Sequence, residues 1–148
     1  MSTRSAFITG AATGIGRGLS HKLASEGWRV FAGVLPGQDT RELMAYSLQA
    51  LTPVEIDVTD NYRIKKAVET IGSAAGDSGL NLLVNCAAIG GKDFLPLEYM
   101  DEKAFKDFLE INLWGQVRVT RGRVRKCSGG CSGERKADLT GSSLLSFY

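Results

Sequence analysis

The chain has 148 residues, 43% of them hydrophobic and 23% charged, with 18 Gly against 3 Pro and a net charge of +2. That excludes collagen-like, mucin-like and wholly disordered chains, and a domain of this size buries roughly 70% of its unfolded surface. No apolar run reaches the ~18 residues that span a bilayer and the first residues lack a signal-peptide core, so the expectation is a cytoplasmic protein with no membrane association.

Ser5–Thr9 reads as a short buried strand that stops at Gly10. Gly14, Gly16 and Gly18 follow, then Leu19, Leu23 and Ala24 at helical spacing, with Gly27 as a helix stop. Residues 28–35 are rich in β-branched and aromatic side chains and predict a second strand, broken by Pro36-Gly37. A helix is predicted over 40–51 and a third, short strand over 54–56. Asp60 is placed to cap the next helix, whose Ile64, Val68 and Ile71 form an amphipathic stripe. Residues 80–84 predict a fourth strand, nearly continuous in Leu and Val, as expected where both faces are covered. Asp101 caps a last helix that runs to about Arg121, with Phe105, Phe108, Leu109 and Asn112 along one stripe.

Strand and helix thus alternate four times, which argues for an α/β fold: a parallel sheet of about four strands with helices packed over it. After Arg121 the texture changes. Residues 122–148 hold five Gly and five Ser, with no helical or alternating apolar pattern. The expected organisation is a domain over 1–121 and a disordered tail over 122–148. Residues 1–117 carry 11 basic and 14 acidic side chains, whereas residues 118–148 carry 7 and 2. A basic tail suits nucleic acid or acidic lipid, or is simply solvated. It has no interleaved aromatics for base stacking, so a solvated tail with no specific nucleic acid is the preferred reading.

The segment Thr9-Gly10-Ala11-Ala12-Thr13-Gly14-Ile15-Gly16 lies between the first strand and the first helix. Glycines at 10, 14 and 16 let the backbone turn sharply and approach a pyrophosphate with no Cβ in the way. The helix N-terminus then offers free N–H groups and a partial positive charge to the anion. Strand before and helix after are the context that a dinucleotide loop requires.

These residues resemble the short-chain dehydrogenase/reductase family. The family's Thr-Gly-x3-Gly-x-Gly motif matches Thr9 through Gly16. Its Asp after the third strand, a contact to adenine, matches Asp57, with Val58 alongside. Its Asn-Asn-Ala-Gly motif resembles Asn85-Cys86-Ala87-Ala88, with the second Asn and the Gly replaced. Its catalytic-tetrad Asn corresponds to Asn112 in Asn112-Leu113-Trp114-Gly115. The resemblance covers residues 5 to about 121. It implies a Rossmann-like three-layer fold, here lacking its C-terminal catalytic part, and NAD or NADP held by Thr9, Gly10, Thr13, Gly14, Ile15, Gly16, Asp57, Val58, Asn85 and Ala87. The run from Val30 to Val34 is similar to members acting on hydroxysteroids, retinoids or hydroxy acids. An acidic residue at the end of strand two binds the ribose of NAD, and a nearby Arg accepts the phosphate of NADP. That position falls on Val34, so neither signal is present. The absent Arg favours NAD slightly, and Asp39 substitutes if the Pro36-Gly37 turn folds back. Asn112 has two readings: a helix-to-backbone hydrogen bond, or a water-holding amide in a proton relay.

The family also needs a Ser, then a Tyr followed four residues later by Lys, beyond the tetrad Asn. The Lys lowers the Tyr pKa toward neutrality so that it can serve as general acid and base. No such pair follows Asn112. Tyr62/Lys66 and Tyr99/Lys103 have the bare spacing but precede it and read as surface pairs. Ser142, Ser143 and the terminal Tyr148 lack the strand and the Lys that would put them to work. Cys127-x3-Cys131 lacks two further zinc ligands, and His21 reads as exposed, so no metal site is expected. Three readings follow: an alcohol or ketone oxidoreductase by resemblance with this chain catalytically impaired, a non-catalytic dinucleotide-binding or interaction module, or an unproductive product. An open sheet edge at 80–85 and the last helix are the surfaces expected to drive dimerisation or aggregation.

Overall fold

The structure, a computed structural model, describes residues 4–45, 50–90 and 96–122. Its sheet has four parallel strands in the order β3-β2-β1-β4. They are β1 Ser5–Thr9, β2 Arg29–Val34, β3 Leu51–Glu55 and β4 Leu82–Asn85. Side chains of a strand alternate between faces, and β1 shows what that does here. Phe7 packs on one face with Phe31, Val54, Ile64 and Ile71. Ile8 packs on the other with Val30, Ala32 and Leu43. Both faces are therefore core, and each needs its own layer of helix.

The Ile8 face is covered by α1 (Gly14–Ser25) and α2 (Arg41–Met44). The Phe7 face is covered by α3 (Asn61–Ala75) and α5 (Gln116–Arg121), which contribute Ile64, Ile71 and Val119. Asp60 caps α3 as expected, accepting from the N–H groups of Tyr62 and Arg63. Asp101 caps α4 (Glu102–Leu109), accepting from Ala104 N–H at 2.7 Å. The result is the three-layer α/β sandwich that the alternation implies.

Four boundaries differ from the sequence reading. Strand β3 starts at Leu51, not 54, and contains Pro53. Ile56 N–H bonds the Val34 carbonyl, so by the two-residue period the nitrogen of Pro53 points away from β2, where no donor is needed. The helix predicted over 40–51 is short: α2 ends at Met44, and Leu51 already pairs with Val30 in the sheet. The fourth ladder begins at Leu82 rather than 80, because a left-handed Gly79 turns the chain just before it. The last helix is interrupted. Between α4 and α5, residues Glu110–Gly115 form a π turn. Within that turn Ile111 packs against the Phe7-side core while Trp114 stays 51% exposed. The tail predicted from 122 falls almost wholly outside the described residues, with Cys127, Cys131, Ser142, Ser143 and Tyr148.

Phe31 lies at the centre of the Phe7-side core and Tyr62 is on the surface of α3. Phe31→Ala is expected to lower the unfolding free energy by about 3–5 kcal/mol in urea titrations, and Tyr62→Ala by no more than about 0.5 kcal/mol.

Candidate functional site

In the order β3-β2-β1-β4 the chain winds first to one side of β1, then returns to the other. Ligands of open parallel sheets sit outside the carboxyl ends of the strands at such a reversal. Here that place lies between the ends of β1 and β4, where Gly10 meets Cys86 and Ala87. A Cβ on Gly10 would lie 2.8 Å from the Ala87 backbone, and its φ of +64° favours glycine as well. A Cβ on Gly16 would lie 2.3 Å from the Gly10 carbonyl oxygen. Gly14 has open space around it, so its φ of +53° is what selects glycine there.

The sequence-predicted residues divide by what they touch. Thr13, Gly14 and Ile15 are exposed at the start of α1. The first turn of α1 carries no acidic side chain and Thr13 makes no side-chain capping bond, so its N-terminal charge stands unneutralised at the loop. Thr9 is buried instead, and its hydroxyl accepts from the N–H groups of Cys86 and Ala87, both at 3.1 Å. It ties the loop to the end of β4 from behind. Asp57 accepts from the N–H and hydroxyl of Thr59, and Val58 is buried against Gly115. Asn85 donates to the Thr120 hydroxyl at 3.2 Å while its Oδ1 is buried without a partner. Burial pushes the Cys86 thiol up from its usual value.

Asn112 lies inside the π turn. Its Oδ1 accepts from Ile89 N–H and its Nδ2 donates to the Ile89 carbonyl, each at 2.8 Å. The side-chain amide is thus engaged with backbone, the first of its two readings. Nothing in the sequence pointed to Ile89, which takes part through its peptide groups alone.

A second recess lies beside the turn after β2. Gln38 folds back to Leu35 through its own N–H and Oε1. That brings Gln38, Asp39, Arg41 and Glu42 around a cleft of about 570 Å³ with Ala12 and Thr13. Asp39 thus lines a cleft that also holds Ala12 and Thr13 of the glycine loop. The hydrogen bonds from Arg41 hold the Asp39 carboxyl down to about 2. Asp39 also accepts from Arg41 N–H at the start of α2. Arg17 pairs with Glu42, and the His21 ring meets the Leu43 carbonyl at 2.8 Å. His21 is therefore half-buried between two helices, not exposed. Among the described residues no group of His, Cys, Asp and Glu is arranged to hold a metal ion, and no helix is long and apolar enough to cross a membrane.

The family model of the short chain dehydrogenases matches residues 4–134, past the boundary expected at 121. Mitochondrial D-beta-hydroxybutyrate dehydrogenase of Bos taurus is 38% identical over 125 residues, covering 80% of this chain and 36% of the relative. Short-chain dehydrogenase/reductase family 9C member 7 of Bos taurus is 31% identical, covering all of this chain and 50% of the relative. The chain thus spans half or less of the curated relatives it matches here. Among solved structures, the NADPH-bound carbonyl reductase from chicken fatty liver superposes with a TM-score of 0.72 at 30% identity, covering 84% of this chain and 48% of that one.

Gly10→Ala is expected to destabilise the fold by about 1–3 kcal/mol in chemical denaturation, because Cβ meets backbone that cannot swing aside. Gly18→Ala, with nothing within 4 Å of its Cβ and a helical backbone, is expected to be neutral or slightly stabilising.

Proposed function

The chain belongs to the short-chain dehydrogenase family, and we propose that it carries the dinucleotide-binding half of an NAD(P)-dependent oxidoreductase acting on alcohols or ketones. The observation that supports this most is the cradle at the end of β1, where glycine Cα atoms face backbone at distances no side chain permits. The backbone of Gly10, Gly14, Ile15 and Gly16, with the Thr13 hydroxyl, would hold the pyrophosphate. Asp57 and Val58 would flank the adenine, and Asn85 and Ala87 the adjoining ribose. The bound cofactor would supply or accept the hydride. Asn112 would keep the loop after β4 in place through Ile89.

For cofactor choice we favour NAD. Asp39 lines the cleft as a carboxylate that stays ionised at any ordinary pH, and ribose hydroxyls can donate to it. Arg41 is already engaged with Asp39 and would have to leave it to meet a phosphate.

The same residues argue that this chain binds without turning over. Hydride transfer needs a proton to move at the substrate oxygen, and general acid–base help is worth roughly 10²–10⁴-fold. No Tyr followed four residues on by Lys stands after Asn112. Tyr62 and Tyr99 are exposed and precede Asn112 in the chain. A second reading, a non-catalytic binding or interaction module, draws on the edge strand β4 and the exposed Phe105, Leu113 and Trp114. On that reading the chain self-associates or takes a partner through those surfaces.

NADH titration followed by fluorescence is expected to give weak saturable binding that Gly14→Asp abolishes. Equal signals from the two proteins would overturn the binding reading. Asp39→Ala is expected to weaken NADH more than NADPH, and the opposite order would reverse the cofactor preference. With a panel of secondary alcohols and either cofactor, no turnover above background is expected. Turnover lost in Asn112→Ala would show that the chain is catalytic after all.

A further inference from the structure

We propose that Arg118, through its ion pair with Glu110, locks the π turn in register and is thereby the positioning residue for Asn112. The inference rests on the reading that Asn112 belongs to the site. The pair links Arg118 Nη2 to Glu110 Oε1 at 2.6 Å, eight residues apart. In a regular α-helix each residue turns about 100°, so eight residues leave two side chains about 80° apart around the axis. A π turn accommodates one extra residue. With Glu110–Gly115 wound that way, Arg118 stands where a seventh residue otherwise would, about 20° from alignment and about 10.5 Å along the axis. Side chains on a helix lean toward its N-terminus, so the long Arg118 reaches back to Glu110 and closes that distance. The ion pair therefore fits the bulged register and not the straight one.

Two further features tie the strap to the turn. The Arg118 and Glu110 side chains are 26% and 40% exposed, and the second guanidinium nitrogen, Nη1, is buried with no hydrogen-bond partner, which leaves the Nη2 contact to Glu110 as the bond that compensates this guanidinium. The pairs on α4, Lys103–Asp107 and Lys106–Glu102, are regular four-residue pairs that stand mostly in solvent. The turn is also pressed onto the loop after β3, where a Cβ on Gly115 would lie 2.6 Å from Val58 Cγ2. Gly115 permits the approach, and the Glu110–Arg118 strap spans the turn from its first residue. Were the turn to relax to an α-helix, residues after it would advance by about 100° relative to those before it. Asn112, the third residue of the turn, is aligned with the Ile89 peptide groups in the bulged winding, and rewinding the turn would disturb that alignment.

The test is amide exchange and side-chain amide resonances by NMR on the full chain. In Arg118→Gln, the Ile89 amide is expected to exchange about tenfold faster relative to the Phe7 amide, and the Asn112 NH₂ signals to move to solvent-like positions. Arg118→Lys is expected to restore part of both, and Lys103→Gln to change neither. Should Arg118→Gln fail to fold, Glu110→Gln removes the same charge pair while leaving the Arg118 stem packed. An unchanged Ile89 rate, or one that rises only in step with Phe7, overturns the proposal. NADH titration of the same variants reads the binding function separately, so loss of one does not stand for loss of the other.

Discussion

The close passage of Gly16 over the Gly10 carbonyl is the constraint on which the rest of the molecule hangs. It sets where β1 ends and the angle at which α1 leaves. Neighbouring bonds then build outward from it. The Ser20 hydroxyl donates to the Gly16 carbonyl inside the core, and Ala11 N–H reaches the Gly33 carbonyl at the end of β2. Thr9 gathers two amides from the loop after β4. Three strand ends are drawn to one point by peptide groups and two small hydroxyl side chains, with glycine leaving the room for them. The crest of the sheet is consequently a surface of peptide dipoles with a helix N-terminus beside it, which is the chemistry an anion meets.

What the residues disclosed in advance follows from this. Glycine spacing is a direct record of where Cβ atoms cannot fit, so the loop from Thr9 to Gly16 was legible without any structure. The caps Asp60 and Asp101 were legible for a similar reason: each is a local bond between a side chain and the next turn of its own helix. Pro53 hid the start of β3, since proline argues against a central strand and nothing local says that this strand lies at an edge. The π turn was hidden because a stripe counted at 3.6 residues per turn assumes the very period that the turn breaks. Its signature is the eight-residue separation of Glu110 and Arg118, and that becomes meaningful only once the register is seen. His21 was read as a surface residue because α2, whose Leu43 carbonyl it meets, is distant in sequence.

The site's composition explains why Asn112 resisted a single reading. An amide on an apolar stripe needs partners, and peptide groups from a loop that carries no pattern of its own supply them. Its immediate role is to stitch the segment after β4 to the helix that follows. The helix bulge and the loop thus behave as one unit, and the end of β4 is held by Thr9 from one side and by Asn112 from the other.

The two rims of the sheet are chemically unlike, and this has a consequence for how copies can add to one another. On β3 the outward row lacks a donor at Pro53, and Glu55 stands exposed beside it. On β4 the row is complete, and no charged residue occurs between Asp77 and Lys92. Among the described residues the two rims therefore differ as templates for backbone pairing: β4 offers an unbroken row, and β3 lacks one donor at Pro53. Two copies joined rim to rim through β4 would present only proline-bearing strands at their far ends.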